Sequence, residues 1–313
     1  MQMNYNFYKI STEESYWRVR DFLRQAWRGT DDKTLNWTAA RLDYNRWHMF
    51  KNCYELDLLD YIYCCEYEDE IIAVFIADCM HGYHLQVHPN HYSAEVFDML
   101  FTNFETVIEN SKSLKEIHIA SPVDDGIFEN ALSKAGFEPT NWIEVRREAI
   151  LTEIITAPVL PSGFQVRALG PVKELPDRSW ASWRAFHPDE PDENYEGWEW
   201  YKNLQLCPLY RRDLDLVCIA ADGSITGFAT MWYDDYNQLG YIDPVGVTPD
   251  HWRKGIGKAL VTECLIRVQK LGARRAYIES FDAPAHALYE SAGLKAVKSL
   301  RTWRNKITKQ PDT

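Results

Sequence analysis

The sequence predicts two α/β domains joined head to tail, because its 313 residues carry one pattern of elements twice. Residues 87–92 (VHPNHY) resemble residues 247–252 (VTPDHW), and residues 133–137 (SKAGF) resemble residues 290–294 (ESAGL). Between these anchors each copy has the pattern strand, amphipathic helix, strand, helix. A repeat of this kind indicates two copies of one α/β unit.

The junction between the copies is predicted at residues 157–163 (APVLPSG), where two prolines and a glycine interrupt the pattern. We therefore expect domains at residues 1–156 and 157–313. The length of the chain agrees, since a common domain has about 150 residues.

Composition excludes several classes of protein. The net charge of −12 argues against binding to a nucleic-acid backbone and suits either cationic partners or simple solubility. No apolar run reaches eighteen residues, so we expect no membrane span. The first residues lack a secretory signal, and the seven cysteines include no Cys-x-x-Cys pair, so buried reduced thiols and a cytoplasmic location are expected.

The second copy begins with a predicted antiparallel hairpin. Residues 214–221 are rich in branched side chains, Asp222-Gly223-Ser224 reverses the chain, and residues 225–232 return. A third strand is predicted at residues 240–247, ending before Pro249.

A helix, a strand and a second helix complete the predicted core of this copy. The first helix carries one apolar stripe and ends near Gly272; the stripe consists of Ile256, Leu260, Cys264, Val268 and Leu271. The strand at residues 276–279 should pair in parallel with residues 240–247, because a helix crosses between them. The second helix is predicted at residues 283–292.

The most informative segment is residues 245–260 (VGVTPDHWRKGIGKAL), a strand followed by a basic, glycine-bearing loop and a helix start. Such a turn directs backbone N–H groups at one point, where the helix dipole also favours an anion. Gly255 and Gly257 leave room for a pyrophosphate, and Arg253, Lys254 and Lys258 supply positive charge.

Spacing excludes two other nucleotide sites. A P-loop needs a glycine where Trp252 stands and a Ser or Thr where Ala259 stands. A dinucleotide fingerprint needs a third glycine near Leu260, which is absent.

The same segment resembles motif A of the GNAT superfamily of N-acetyltransferases, which has Val-x-Val followed by Gln/Arg-x-x-Gly-x-Gly/Ala. Here the motif is Val245-Gly246-Val247 and residues 252–257 (WRKGIG), with Trp252 at the Gln/Arg position. A second family element, Asn-x-x-Ala-x-x-Leu-Tyr-x-x-x-Gly-Phe, resembles residues 282–294 (DAPAHALYESAGL), with Asp for Asn and Leu for Phe. The resemblance covers most of residues 164–305.

The resemblance implies two tandem GNAT-like domains, each a mixed, mostly antiparallel sheet with a splayed parallel strand pair and flanking helices. It implies acetyl-CoA as co-substrate, no metal, and direct attack by an amine in a ternary complex. Tyr289 occupies the position of the family's general acid. The cofactor-binding residues that it implies are Val245, Gly246, Val247, Arg253, Lys254, Gly255, Ile256, Gly257, Lys258, Asp282, Ala285 and Tyr289.

The general base is predicted from strand parity. Asp243 faces the same side as Tyr241 and Val245, so its carboxylate is a candidate base. A supporting role in the turn beside Pro244 is the alternative, and Glu279 is a second candidate base.

The first copy lacks these features. Glu95 and Phe97 stand where the second copy has Gly255 and Gly257, and Leu132 stands where it has Tyr289. We therefore expect residues 1–156 to be non-catalytic. His84 and His88 could share a metal only on a helix, whereas the repeat predicts a strand that would hold them about 13 Å apart.

The acceptor is expected to be a small-molecule amine, with neither nucleic acid nor membrane as partner and the chain a monomer or homodimer. Trp180, Trp183, His187 and the acidic residues 188–201 suit a cation, but a solvated acidic loop over core tryptophans fits this pattern somewhat better. Two alternatives stay open: a sensor that binds acetyl-CoA without turnover, and an acetyltransferase acting on a protein lysine or N-terminus.

Overall fold

The computed structural model describes residues 5–28, 35–110 and 116–306. Two compact units are present, and each contains parts of both sequence copies. Unit 1 consists of Met1–Glu144 and Lys298–Thr313, and unit 2 consists of Val145–Val297.

The described chain contains strands and helices in an α/β order that repeats once. The strands are β1 (Tyr5–Lys9), β2 (Ile62–Tyr67), β3 (Glu70–Ala77), β4 (Gly82–Val87), β5 (Glu116–Pro122), β6 (Glu138–Ile150), β7 (Gln165–Ala168), β8 (Asp215–Ile219), β9 (Ile225–Asp234), β10 (Leu239–Val247), β11 (Arg275–Ser280) and β12 (Lys295–Lys306). The α-helices are α1 (Glu13–Arg28), α2 (Ala39–Tyr44), α3 (Ala94–Asn110), α4 (Gly126–Lys134), α5 (Leu175–Phe186), α6 (Tyr201–Leu204), α7 (Ile256–Lys270) and α8 (Ala283–Ser291). A π-helical segment, Asn45–Cys53, follows α2.

Unit 1 has the strand order β1-β2-β3-β4-β5-β12. All neighbours are antiparallel except β4 and β5, which pair in parallel from Gly82 with His118 to His84 with Ala120. The pairing stops there although β4 runs on to Val87, so the two strands diverge. The core of this unit is aromatic, with Phe75 and Phe104 stacked 4.1 Å apart at its centre.

Unit 2 repeats this arrangement with the strand order β6-β11-β10-β9-β8-β7. Its single parallel pair, β10 with β11, runs from Leu239 with Arg275 to Tyr241 with Tyr277 and then diverges. The core lies between this sheet and α7, whose buried residues include Ile256, Leu260 and Cys264.

The last strand of each sequence copy completes the other unit. Residues 300–306 of β12 pair with β5 inside unit 1, and residues 145–150 of β6 pair with β11 inside unit 2. The compact units thus follow strand pairing and not the order of the chain. The boundary between residues 156 and 157 marks the limit of the sequence copies and stays a prediction.

The predicted fold class is confirmed in its particulars: mixed sheets, one splayed parallel pair in each unit, and flanking helices. Every element predicted in the second copy is present within two residues of its expected ends, and β8 is three residues shorter than predicted. His84 lies on β4 and His88 just follows it, as the repeat predicts. No α-helix among the described residues is long and apolar enough to cross a membrane.

None of the seven cysteines, all of which lie in the described residues, forms a disulfide. The expectation that they are buried is wrong for Cys53, which is exposed, and for Cys79, which is half-buried; the other five are buried.

Candidate active site

The site in unit 2 begins where β10 leaves β11. Within the described chain, residues 243–247 of β10 have no strand neighbour on the β11 side, because that pairing ends at Tyr241. On its other side β10 pairs with β9 through an irregularity between Ile242 and Val245. The backbone of Val245, Gly246 and Val247 therefore borders the gap between the two diverging strands.

The loop after β10 leads into α7, whose N-terminus has no side-chain cap. Arg253 and Gly255 both have left-handed backbone, with φ of 62° and 79°, and a Cβ at Gly255 would meet nothing within 4 Å. Gly255 is the N-cap of α7 and makes no side-chain capping hydrogen bond. The first N–H groups of this 15-residue helix thus have no side-chain partner from the cap, which is the geometry of an anion site.

Positive charge surrounds this helix terminus. Arg253, Lys254 and Lys258 are all exposed there, and Lys254 Nζ lies 6.0 Å from the centre of the Phe164 ring. Ile256 is 1% exposed, so that its side chain belongs to the core and only its backbone faces the loop.

Trp252 holds the loop against the strand. Its indole Nε1 donates a hydrogen bond of 2.7 Å to the Val247 carbonyl oxygen, although the side chain is 51% exposed. Thr248 adds a second tie, since its backbone N–H and its hydroxyl both donate to the Thr226 carbonyl oxygen. A tryptophan at this position therefore has a structural role that does not depend on phosphate.

Two glycines predicted to admit the cofactor have a packing role in this structure. A Cβ at Gly257 would lie 3.1 Å from the Leu288 side chain, so this glycine permits the contact of α7 with α8. A Cβ at Gly246 would lie 2.3 Å from the Phe228 ring and 2.9 Å from Ala185. Substitutions at either position therefore disturb packing as well as any ligand.

Asp282 and Ala285 form a helix cap. The Asp282 Oδ1 atom accepts a 2.7 Å hydrogen bond from the Ala285 backbone N–H at the start of α8. Asp and Asn are equally good at this position, which explains why Asp can replace the Asn of the motif.

Tyr289 lies on α8 beside the gap and is 7% exposed. Within the described residues its hydroxyl has no hydrogen-bond partner. Burial raises the pKa of Tyr289, and the negative charges of Asp243 and then Asp282 raise it further. The phenol is therefore protonated at neutral pH and lies within electrostatic reach of the predicted base.

Asp243 belongs to a chain of contacts that spans three strands. Its Oδ2 atom accepts a 2.7 Å hydrogen bond from the Tyr241 hydroxyl, and the Tyr241 ring stacks on Tyr277 at 4.8 Å. The Arg146 guanidinium lies 4.7 Å from the centre of the Tyr277 ring. Tyr241 thus positions the carboxylate on the side of the sheet that parity predicts.

Arg146 also pairs with Glu279, the second candidate base. Two guanidinium nitrogens contact Glu279 Oε1 at 2.8 and 2.9 Å, and both side chains are nearly fully buried. A carboxylate held in this way is poorly placed to accept a proton from a substrate. Sequence reasoning missed Arg146 because it lies on β6, in the first sequence copy, and no local pattern links it to β11.

The tryptophans of α5 form an aromatic group with the loop that follows. Trp180 stacks on Trp183 at 5.4 Å, Tyr195 contacts both rings, and His187 stacks on Trp183 at 5.6 Å. Arg184 lies 5.6 Å from the Trp183 ring and donates hydrogen bonds to three loop carbonyl groups. The acidic loop is thus anchored, and a cation already lies near one of the two tryptophans.

Comparison with known proteins agrees with this geometry. Residues 172–294 match the model of the acetyltransferase (GNAT) family. A streptothricin acetyltransferase of Streptomyces lavendulae is 34% identical over 79 residues, which are 25% of this chain. The chain spans 42% of the length of that relative.

Solved structures extend the GNAT fold to nearly the whole chain. A GCN5-related N-acetyltransferase from Sphaerobacter thermophilus aligns with a TM-score of 0.67 and 16% identity, covering 99% of this chain and 98% of its own. A tandem GNAT protein from the clavulanic acid biosynthesis pathway aligns with a TM-score of 0.68 and 10% identity, covering 97% and 98%. At these identities the likeness shows the fold, and it confirms the tandem GNAT architecture.

Proposed function

We propose that unit 2 transfers an acetyl group from acetyl-CoA to the primary amine of a small molecule. The observation that carries this proposal is the meeting of three features at the gap between β10 and β11. These features are an uncapped basic helix terminus, a strand edge without a neighbour, and a protonated tyrosine close to a carboxylate. Together these features can bind an anion, polarise a carbonyl group and transfer a proton.

Cofactor binding is assigned to the loop and the start of α7. The pyrophosphate of acetyl-CoA would accept hydrogen bonds from backbone N–H groups near Gly255, Ile256 and Gly257, with charge from Arg253, Lys254 and Lys258. The thioester carbonyl would accept a hydrogen bond from backbone N–H at Val245 to Val247, stabilising the developing oxyanion.

Asp243 is assigned as the general base that removes a proton from the substrate amine. A substrate arrives as an ammonium ion, and Asp243 takes its proton directly or through a water molecule. The neutral amine then attacks the thioester carbon, the bond from carbon to sulfur breaks, and the nitrogen releases its second proton to water as the amide forms. Attack is direct, so no acetyl group is attached to the enzyme.

Tyr289 is assigned as the proton donor to the departing CoA thiolate. Burial, and after it the negative charge of Asp243, raises the pKa of this phenol, which makes it a weak acid before substrate binds. An ammonium ion beside Asp243 would offset that charge and bring the phenol closer to the pKa of an alkyl thiol, about 8.5. Substrate binding would in this way make the Tyr289 phenol a stronger acid.

The acceptor is assigned to the chemical class of small amines. The relative named streptothricin acetyltransferase supports a small-molecule acceptor, and the aromatic group of Trp180, Trp183 and Tyr195 beside an acidic loop offers contacts for a cation. Unit 1 would serve as a non-catalytic partner in this reaction.

A screen of primary amines with acetyl-CoA, followed by release of free thiol, tests the proposal. At least one small amine should release thiol, and the Tyr289→Phe protein should release it about a hundredfold more slowly. Binding of acetyl-CoA without thiol release for any amine would indicate a sensor. Acetylated lysines or N-termini in partner proteins, found by mass spectrometry, would indicate a protein substrate.

A further inference from the structure

Unit 1 contains a cavity of about 430 Å³, and none of its lining residues is a predicted site residue. It lies at the start of the parallel strands, on the side of the sheet that carries His84, His118 and Ala120. A volume of this size falls in the range of small-molecule sites, about 300–1,000 Å³. The lining residues are Asp78, Cys79, Gly82, Tyr83, His84, Glu116, His118, Ala120, Thr140, Trp142, Thr302 and Arg304.

Comparison of the two units explains why this space is open. His84 and Ala120 are the last paired residues of β4 and β5, and Tyr241 and Tyr277 are the last paired residues of β10 and β11. In unit 2 the two tyrosine rings stack and fill the position. In unit 1 an alanine replaces one ring and a histidine replaces the other, so that side-chain volume is missing.

The charged groups that line the cavity include two carboxylates, Asp78 and Glu116, and one guanidinium, Arg304. Asp78 accepts a 2.9 Å contact from His84, and Glu116 accepts a 3.1 Å contact from His118. Burial acts to raise the pKa of Asp78, but the charge of His84 and its hydrogen bond outweigh burial and lower the pKa to about 2. Arg304 lies 4.0 Å from Glu116, and Arg41, which is outside the lining, also lowers the pKa of Asp78.

An aromatic wall lies beside these carboxylates. The Trp142 side chain is 56% exposed, on a strand position where burial would be the ordinary result for an indole. A half-exposed indole next to carboxylates is a typical contact surface for an organic cation, which gains both charge pairing and cation–π attraction. Metal binding is a poor alternative, because no group of three ligating side chains close enough for an ion exists in the described residues.

We propose that this cavity of unit 1 binds a small organic ammonium compound, with the ammonium group at Asp78 and the apolar body against Trp142. The unit that lacks the acetyl-transfer residues would then hold an amine of its own, without acetylating it. This proposal does not depend on the proposed activity of unit 2, because none of the lining residues belongs to that site.

The probe pair for a test is cyclohexylammonium and cyclohexanol, which have the same ring and differ in charge. The full-length protein, without acetyl-CoA, is titrated in NMR spectra of its tryptophan indole N–H groups. The Trp142 signal is assigned by its loss in Trp142→Phe. A Trp180→Ala protein serves as the control that removes an aromatic contact proposed for the acceptor in unit 2.

We expect cyclohexylammonium to shift the Trp142 signal in a saturable way, equally in the wild type and in Trp180→Ala. Cyclohexanol should shift it at least tenfold more weakly. Asp78→Asn preserves shape and should weaken binding about tenfold, and Ala120→Tyr, which copies unit 2, should abolish it. Asp78→Asn alone tests the proposal if Ala120→Tyr fails to fold.

Three results would overturn the proposal. The first is a Trp142 signal that does not move with cyclohexylammonium. The second is an equal response to cyclohexanol, which would make the cavity a non-specific apolar surface. The third is unchanged affinity in Asp78→Asn, which would remove the carboxylate from the site.

Discussion

The two units differ in the side chains that lie where their parallel strands diverge. In unit 1, Phe97 in the first turn of α3 is fully buried against Tyr92 and Phe128, with ring centroids 4.8 and 4.9 Å apart. In unit 2 the matching position is Gly257, where a Cβ would lie 3.1 Å from the Leu288 side chain and 3.6 Å from that of Val247. The space left at the unit 1 opening is about 10 Å³, roughly the volume that holds one water molecule.

The loops that precede α3 in unit 1 and α7 in unit 2 also differ in their contacts. Tyr92 of unit 1 donates its hydroxyl hydrogen bond to Asp125, the residue that caps α4, and so joins the two helix starts. At the matching position in unit 2, Trp252 donates to the Val247 carbonyl instead. Asp282, the counterpart of Asp125, caps only its own helix. The helix start of unit 1 is thus packed with aromatic side chains, whereas the matching positions of unit 2 are the glycines Gly255 and Gly257.

The first sequence copy also supplies one strand to unit 2, because β6 pairs with β11 and its Arg146 pairs with Glu279. The largest predicted effect follows from this. A fragment of residues 158–313 lacks β6, so that Glu279 loses Arg146 and β11 loses its antiparallel neighbour. A buried charge without its partner costs about 3–5 kcal/mol, and an exposed strand edge promotes aggregation.

We therefore expect the fragment to be insoluble or unfolded, as judged by expression and circular dichroism. The Arg146→Met full-length protein is the matched control for the ion pair alone. A soluble, fully active fragment of residues 158–313 would contradict the role assigned to β6.

Replacing the phenol is expected to have the next largest effect. Tyr289→Phe keeps the ring and removes the proton donor, so kcat should fall about a hundredfold while acetyl-CoA affinity stays within twofold. Because the pKa of Tyr289 is raised above its usual value of 10, its own titration should produce no change in rate between pH 6 and 9. An unchanged kcat in Tyr289→Phe would leave Tyr289 with a packing role, like Leu132 in unit 1.

Neutralising the predicted base gives a smaller change that depends on pH. Asp243→Asn can still accept the Tyr241 hydrogen bond, so the site keeps its shape. We expect kcat/KM for the amine to fall roughly tenfold to a hundredfold at pH 7, and to recover in part at higher pH, where more of the free amine is unprotonated. A pH profile identical to that of the wild type would contradict the assignment of Asp243 as base.

The smallest of these effects concerns the pyrophosphate loop. Arg253 is exposed and has positive φ, so Arg253→Gly suits the backbone and removes the charge, whereas Arg253→Glu reverses it. We expect acetyl-CoA to bind about tenfold more weakly in Arg253→Glu and a few times more weakly in Arg253→Gly. Calorimetry with equal affinities for all three proteins would remove Arg253 from the site.

Local patterns predicted most of unit 2, since its strands, its helices and the loop before α7 depend on neighbouring residues in the chain. They also predicted which side of β10 carries Asp243. Local patterns could not predict that β6 pairs within unit 2 and β12 within unit 1, because strand pairing between distant segments leaves no period in the sequence. The packing roles of Gly246 and Gly257 were hidden for the same reason: Phe228 and Leu288 are distant in sequence.

The most direct measurement of the difference between the units is the stoichiometry of acetyl-CoA binding to the full-length protein. Calorimetry should give one molecule bound per chain. Affinity should fall in Arg253→Glu and stay unchanged in Glu95→Gln, which alters the matching helix start of unit 1. Two molecules bound per chain, or one whose affinity depends on Glu95 and not on Arg253, would contradict the account.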